Sequence, residues 1–99
     1  MIFMVTIWYP SDKVKIVADK FVKASKEPLP DYIKRVQIYM TPDGPKGMKS
    51  YQVYMSEKGK GDEALFYINK ILVPFMGIEG YEWKIENLMG VKDSFKLLG

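Results

Sequence analysis

The 99-residue sequence predicts an α+β fold whose elements follow the order strand, helix, strand, strand, helix, strand. Two observations support this fold class. Four segments alternate their side chains with a period of two, which is typical of β-strands, and two segments repeat apolar residues at the spacing of an amphipathic helix. Proline and glycine residues separate these segments. With 47% hydrophobic residues the composition is that of a folded protein, and we expect one domain over residues 1–99.

The first strand is predicted over residues 2–9, where both alternating sides are largely apolar. This pattern indicates a central strand that is covered on both faces. Pro10 ends the strand, because proline lacks the N–H that the ladder needs. Ser11 is a suitable N-cap for the first helix, whose apolar residues recur at helical spacing up to about Lys26. The two prolines of the segment KEPLP prevent the helix from continuing.

The second strand is predicted over residues 32–41 and the third over residues 48–56. The segment TPDGPKG joins them, and its turn residues make a connection that is too short for anything but an antiparallel neighbour. The more apolar side of each strand is expected to face the core: Val36, Ile38 and Met40 in the second strand, and Tyr51, Val53 and Met55 in the third.

The loop EKGKGDE precedes a second helix, which is predicted to begin at Gly61 or Asp62 and to end by Gly77. The fourth strand is predicted over residues 81–88, with Trp83 and Ile85 facing the core. The last ten residues, about 90–99, place apolar side chains at i, i+4 and i+7. This spacing predicts a short terminal helix or an arm.

The order of the six elements resembles the ferredoxin-like fold, a split βαβ arrangement. The resemblance implies a four-stranded antiparallel sheet of order 4-1-3-2 with both helices on one face. The face without helices then combines aromatic, apolar and charged side chains, and large exposed apolar patches usually mark interaction sites. The residues expected on that face are Met4, Thr6, Trp8, Arg35, Gln37, Tyr39, Gln52, Tyr54, Glu82, Lys84 and Glu86.

Three segments, MVTIWYP, EALFYINKILVPF and GIEGYEWKIEN, resemble an uncharacterised group of small prokaryotic domains in the dimeric α/β-barrel superfamily. The resemblance covers most of the chain and brings no known activity with it. It implies a homodimer whose two sheets meet face to face, and Arg35 is then expected to pair with Glu82 or Glu86 of the other subunit. It also implies a small apolar pocket between sheet and helices in each protomer.

The predicted function is therefore that of a homodimeric binding or regulatory domain that takes a small hydrophobic ligand. The pocket candidates are Trp83, Tyr81, Asn87, Tyr67 and Asn69. One alternative is a cofactor-independent monooxygenase or isomerase that acts on a small hydrophobic or aromatic substrate. A second alternative is weak binding of single-stranded nucleic acid through the open sheet face. The third strand, KSYQVY, lacks both glycines and the aromatic pair of the RNA-recognition signature, so nucleic acid is not the expected partner.

The chain contains neither cysteine nor histidine. Thiolate and imidazole chemistry are therefore excluded, including Ser-His-Asp catalysis, zinc sites of Cys and His, and axial histidine ligation of haem. We expect no metal and no cofactor. No stretch approaches the 18 to 20 apolar residues that span a bilayer, so no membrane segment is expected. Without an export signal at residues 1–10, the expected compartment is the cytoplasm.

Overall fold

In the computed structural model, which describes residues 1–99, four antiparallel strands form one sheet in the order β2-β3-β1-β4. The strands are β1 (Ile2–Tyr9), β2 (Ile33–Pro42), β3 (Met48–Ser56) and β4 (Glu82–Leu88). The helices are α1 (Val14–Ala24) between β1 and β2, α2 (Gly61–Leu72) between β3 and β4, and α3 (Val91–Leu97) after β4. The predicted ferredoxin-like fold and its strand order are confirmed.

The two long helices are shorter than their sequence patterns predict. A 3₁₀ turn over Ser11–Lys13 precedes α1, and the Ser11 side chain makes no capping hydrogen bond. Further along the chain, α2 ends at Leu72 and is followed directly by a 3₁₀ turn over Val73–Phe75. Pro74 explains this change, because a proline cannot donate the backbone hydrogen bond that the next α-helical turn needs.

The register of the strands shows which side chains share a face, because directly opposed residues of an antiparallel pair point to the same side. Phe3, Val5 and Ile7 of β1 point towards α1 and α2, and each is at most 3% exposed. We call this side the covered face. The opposite side, which carries Met4 and Trp8, is the open face. The buried hydrophobic core consists of Phe3, Val5, Ile7, Tyr9, Val17, Ile33, Tyr54, Ala64, Ile68, Leu72, Phe75 and Ile78.

The predicted orientation of β3 is wrong. Tyr54 lies opposite Phe3 and Gln52 opposite Val5, so both belong to the covered face, as does Ser50. Tyr54 is completely buried and Gln52 is 7% exposed. The residues that were expected in the core therefore lie on the open face: Tyr51, Val53 and Met55. Both sides of this strand are partly apolar, and hydrophobicity alone does not choose between them.

The predicted orientation of Arg35 is also wrong, because β2 contains a β-bulge. Arg35 lies opposite Tyr54, whereas Gln37 lies opposite Val53, which leaves Val36 as an extra residue. A bulge shifts the alternation of side chains by one position. Arg35 consequently points to the covered face, and Val36 is 47% exposed instead of packing in the core.

The helices cover the sheet unequally. Ala64, Ile68 and Leu72 of α2 are almost fully buried, whereas Val17 is the only buried residue of α1. The residues of α3 are all outside the core, and Phe95 is 65% exposed. None of the helices has the length and apolarity that are needed to cross a membrane.

Candidate functional site

A cavity of about 190 Å³ lies between α1 and the covered face of the sheet. Fourteen of its 17 lining residues are hydrophobic, and the other three are Arg35, Ser50 and Gln52. The hydrophobic ones are Ile7, Tyr9, Val14, Val17, Ala18, Phe21, Val22, Ala24, Ile38, Met40, Ile71, Leu72, Phe75 and Tyr81.

Both α1 and the sheet contribute to the walls of the cavity. The apolar stripe of α1 shares the lining with Ser50 and Gln52, two polar side chains on the covered face of β3. Val22, at the opening, remains 55% exposed.

Three polar side chains form a network at one end of the cavity. Nε and Nη2 of Arg35 both donate hydrogen bonds to Oη of Tyr54, each over 3.1 Å. The Tyr54 hydroxyl in turn donates to Oε1 of Gln52 over 2.6 Å. Burial raises the pKa of Tyr54, although the charge of Arg35 opposes that effect. Tyr54 therefore stays protonated, as a donor must, and its oxygen accepts from a cation.

Two aromatic rings fix the position of the Arg35 guanidinium. Its Cζ lies 5.4 Å from the ring centre of Phe21 on α1 and 5.4 Å from the ring centre of Tyr54 on β3. Both distances fall within the range of cation–π interactions. Arg35 thus bridges the helix and the sheet at this end, and it is the only charged side chain that lines the cavity.

Aromatic side chains form the other end of the cavity. The ring of Tyr81 stacks on Phe75, with 5.0 Å between their centres, and on Tyr9, with 6.2 Å. Trp83 meets the Tyr81 ring edge-on at 6.1 Å. Burial raises the pKa of both Tyr9 and Tyr81, so both hydroxyls are neutral at physiological pH.

The two ends are separated along the strand direction. Arg35 is opposite Tyr54 near the amino-terminal end of β1, whereas Tyr9 is the last residue of β1. The helix α1 runs above the cavity from Val14 to Ala24, both of which line it. At 1.5 Å per residue this distance is about 15 Å. The cavity is therefore an elongated slot with a cationic end and an aromatic end.

Of the five pocket candidates from the sequence, Tyr81 alone lines this cavity. Trp83 packs against the core beside it. Tyr67 lies in a neighbouring surface depression that also contains Glu27 and Arg35. Asn87 lines a third depression near Met1, and the amide of Asn69 donates to the backbone of its own helix, to Leu65 O over 3.0 Å.

The residues that were predicted for the open face divide into two groups. Arg35, Gln52 and Tyr54 lie on the covered face instead, so Arg35 cannot meet Glu82 or Glu86 across paired sheets. The register places the other eight on the open face: Met4, Thr6, Trp8, Gln37, Tyr39, Glu82, Lys84 and Glu86.

The periodicity of the strands did not reveal the polar residues of the cavity, Ser50 and Gln52, or the partnership of Arg35 with Tyr54. One signal for them was present. Arg35, which precedes Val36, is the only arginine of the chain. The side chains of Arg35 and Tyr54 can also hydrogen-bond to each other. Whether two such residues meet depends on the register between neighbouring strands. The alternation of side chains within a single strand does not reveal that register.

Solved structures similar to this chain include the following two. Formyltetrahydrofolate deformylase from Burkholderia mallei matches 88% of the chain at 14% identity with a TM-score of 0.44, and the match spans 28% of the deformylase. The C-terminal domain of the MgtC protein from Mycobacterium tuberculosis matches 91% of the chain and 92% of that domain, at 12% identity with a TM-score of 0.49. No protein-family model and no curated protein matches the chain. Likeness at this level says nothing about function, and the fold assignment depends on the strand order described above.

Proposed function

We propose that this chain is a binding domain that holds a small apolar molecule in the cavity beneath α1. The observation that carries the proposal is the cavity itself, whose walls are apolar except for Arg35, Ser50 and Gln52. Small-molecule sites usually combine a hydrophobic lining with a few polar groups that orient the ligand. Polar side chains on the core face of a sheet contribute little to hydrophobic packing, but they can orient a ligand in such a site.

The same geometry favours binding over catalysis. A cofactor-independent oxygenase or isomerase needs polar groups around the reacting atoms of its substrate. The amides of Asn69 and Asn87, two of the pocket candidates, lie away from the cavity, and the hydroxyl of Tyr54, which is engaged by Arg35 and Gln52, is not part of its lining.

Binding of 1-octanol, a neutral linear ligand, tests the proposal. We expect wild-type protein to bind 1-octanol in a calorimetric titration, and Ala18→Phe to weaken binding at least about tenfold, because the new ring occupies the space beneath α1. Lys23→Phe is the matched control, since it adds the same ring to α1 at a residue that does not line the cavity. Absence of binding to the wild type, or equal losses in both variants, would contradict the proposal.

A second proposal concerns the open face, for which we infer self-association into a dimer of the kind found in the dimeric α/β-barrel superfamily. The observation in its favour is a row of three residues across neighbouring strands, in which Trp8 lies between Lys49 on β3 and Glu82 on β4. The ammonium of Lys49 lies 5.6 Å from the ring centre of Trp8 and 5.0 Å from that of Tyr51. An aromatic centre with opposite charges on its two sides is self-complementary.

Symmetry shows how two such rows fit together. When two open faces meet about a two-fold axis parallel to β1, the rotation exchanges the two sides of each sheet. Lys49 of one protomer then lies over Glu82 of its partner, and the reverse contact forms at the same time. The two Trp8 side chains meet at the axis, where they contribute the apolar centre that stable interfaces usually have.

Charge reversal tests this arrangement. We expect a light-scattering mass of about 23 kDa, twice the 11.5 kDa of the chain. Lys49→Glu and Glu82→Lys should each weaken the dimer, because they place like charges together, and the double variant should restore it. Lys70→Glu on α2 changes the net charge by the same amount as Lys49→Glu and should have no effect. A monomeric wild type would refute the dimer, and salt-dependent binding of single-stranded RNA to the exposed Trp8 and Lys49 would then assign the face to nucleic acid.

A further inference from the structure

We propose that the ligand of the cavity is a linear apolar monocarboxylate, with its carboxylate on Arg35 and its chain beneath α1, directed towards Tyr9 and Tyr81. This inference rests on the proposed binding function and adds the chemical class of the ligand. Three features of the structure support it: the free edge of the guanidinium, the absence of a counter-ion, and the shape of the slot.

The guanidinium of Arg35 presents one unused edge. A guanidinium has five N–H donors in a fixed plane. The edge formed by Nε and Nη2 donates to Tyr54 Oη, so two donors are used. The remaining three belong to Nη1 and Nη2, and these have no acceptor in the protein. One donor from each nitrogen lies parallel to the other, which is the geometry that a carboxylate accepts with its two oxygens.

No carboxylate of the protein neutralises Arg35. The chain forms two ion pairs, Lys84 with Glu86 and Lys96 with Asp93, and neither involves the arginine. Glu27 shares a surface depression with Arg35 but lies beyond ion-pair distance. A partly buried cation without a partner is unfavourable, and a ligand that supplies one negative charge removes that cost.

The guanidinium is held in place before any ligand binds. The ring centres of Phe21 and Tyr54 each lie 5.4 Å from its Cζ, and the hydrogen bonds to the Tyr54 hydroxyl fix its rotation. Preorganisation of this kind increases affinity, because little side-chain freedom is lost on binding. An arginine that served only as a solubilising surface group would have no need of such an arrangement.

The shape of the cavity points to a linear body for the ligand. An apolar cavity of about 150 Å³ in another protein accommodates benzene. Here about 190 Å³ extends along the α1 helix, from Ala24 near Arg35 to Val14 near Tyr9. A space of this volume and length suits an alkyl chain or a single ring with a substituent.

The charge of the site favours a carboxylate over a phosphate. Arg35 supplies one positive charge, and no lysine lines the cavity. A carboxylate matches this single charge, whereas a phosphate monoester carries about −1.5 to −2 at neutral pH. The excess negative charge of a phosphate would lie against apolar walls.

A series of head groups on one chain tests the inference in the wild-type protein. We expect octanoate to bind about 10- to 100-fold more tightly than 1-octanol, because hydrogen bonds to charged groups are stronger than neutral ones. Octyl phosphate should bind less tightly than octanoate, and octylamine should bind most weakly, because Arg35 repels it. Equal affinity for octanoate and 1-octanol would overturn the inference and leave the proposed binding function intact. Failure of both to bind would overturn both proposals.

An Arg35 variant assigns the effect to its residue. Arg35→Gln should reduce the affinity for octanoate about 10- to 100-fold and the affinity for 1-octanol by less than about threefold. Lys23→Gln on the outer side of α1 removes the same charge and should change neither affinity. Glu27→Gln should not weaken octanoate binding. An equal loss of both ligands in Arg35→Gln, with circular dichroism showing a folded protein, would contradict the assignment. If that variant does not fold, the wild-type series decides alone.

Discussion

Tyr54 shows how a polar residue is accommodated in the centre of the core. Its side chain is completely buried, yet its hydroxyl accepts from Arg35 and donates to Gln52. Each of these hydrogen bonds satisfies a group that would otherwise be costly to bury. The network therefore explains why β3 can turn Gln52 and Tyr54 inwards.

Replacement of Tyr54 by phenylalanine tests the contribution of the network to stability. Tyr54→Phe leaves Nε of Arg35 and Oε1 of Gln52 without their partner, so we expect the free energy of unfolding to fall by about 1–3 kcal/mol. Tyr51→Phe removes a hydroxyl from another tyrosine of β3, which lies on the open face, and should lower the free energy of unfolding by less than about 0.5 kcal/mol. Urea unfolding measures both. Equal losses would show that the network is not stabilising.

At the scale of elements, the β2–β3 connection packs closely against the end of β1. Gly47 has φ +89°, and a Cβ atom at this position would lie 2.4 Å from the carbonyl oxygen of Tyr9. Its own backbone closes the turn, since N–H of Asp43 donates to Gly47 O over 2.7 Å. Glycine is therefore required here both by the backbone conformation and by the lack of space.

Two alanine variants separate these requirements. Gly47→Ala should lower the melting temperature clearly more than Gly44→Ala, because both residues have positive φ but only Gly47 would collide with backbone. Strain at positive φ alone costs about 1 kcal/mol, or about 4–8 °C in a domain of this size. Thermal unfolding by circular dichroism compares the two. Equal decreases in the melting temperature would show that β1 moves to make room for the added methyl group.

At the scale of the whole molecule, the two sides of the helix layer differ in how closely they pack on the sheet. The side formed by α2 is tightly packed, with Ala64 and Ile68 fully buried, and it supplies most of the helical part of the core. The side formed by α1 leaves the slot between Arg35 and Tyr81 open. In the proposed function the ligand lies on the α1 side, with Ile71 and Leu72 of α2 completing the cavity wall.

The buried tyrosines should make the folded state less stable at alkaline pH. Burial holds the pKa of Tyr9, Tyr54 and Tyr81 above the value of about 10 that tyrosine has in an unfolded chain. The folded state then binds more protons than the unfolded state above pH 10. Their contribution is complete below about pH 10 and is lost as the pH rises through the folded pKa values.

The urea concentration at the midpoint of unfolding, measured from about pH 8 to pH 11.5, should therefore decrease above about pH 10. Tyr81→Phe should make that decrease shallower, because one of the buried ionisable groups is removed. Tyr39→Phe changes an exposed tyrosine of the open face and should retain the wild-type decrease. A variant profile for Tyr81→Phe that runs parallel to the wild type would contradict this assignment.

The sequence predicted most of the fold but little of the site. Local periodicity located all four strands, and β3 was predicted with the bounds that it has in the structure. The ends of α1 and α2 were less accurate, because Pro74 and the 3₁₀ turn at Ser11 alter the helical geometry locally. Among the cavity residues, Tyr81 alone was predicted, because the cavity depends on which strands lie side by side.

The sequence by itself determined the order of the elements, the central position of β1 and the excluded chemistries, because these follow from local periodicity and composition. The tertiary structure alone decided which side of β3 faces the helices and where Arg35 points. One extra residue at Val36 reverses the alternation in β2, and the polar groups of Arg35, Gln52 and Tyr54 are tolerated inside because they bond to one another. Such mutual satisfaction is a property of neighbouring strands, so it exists only once the sheet has formed.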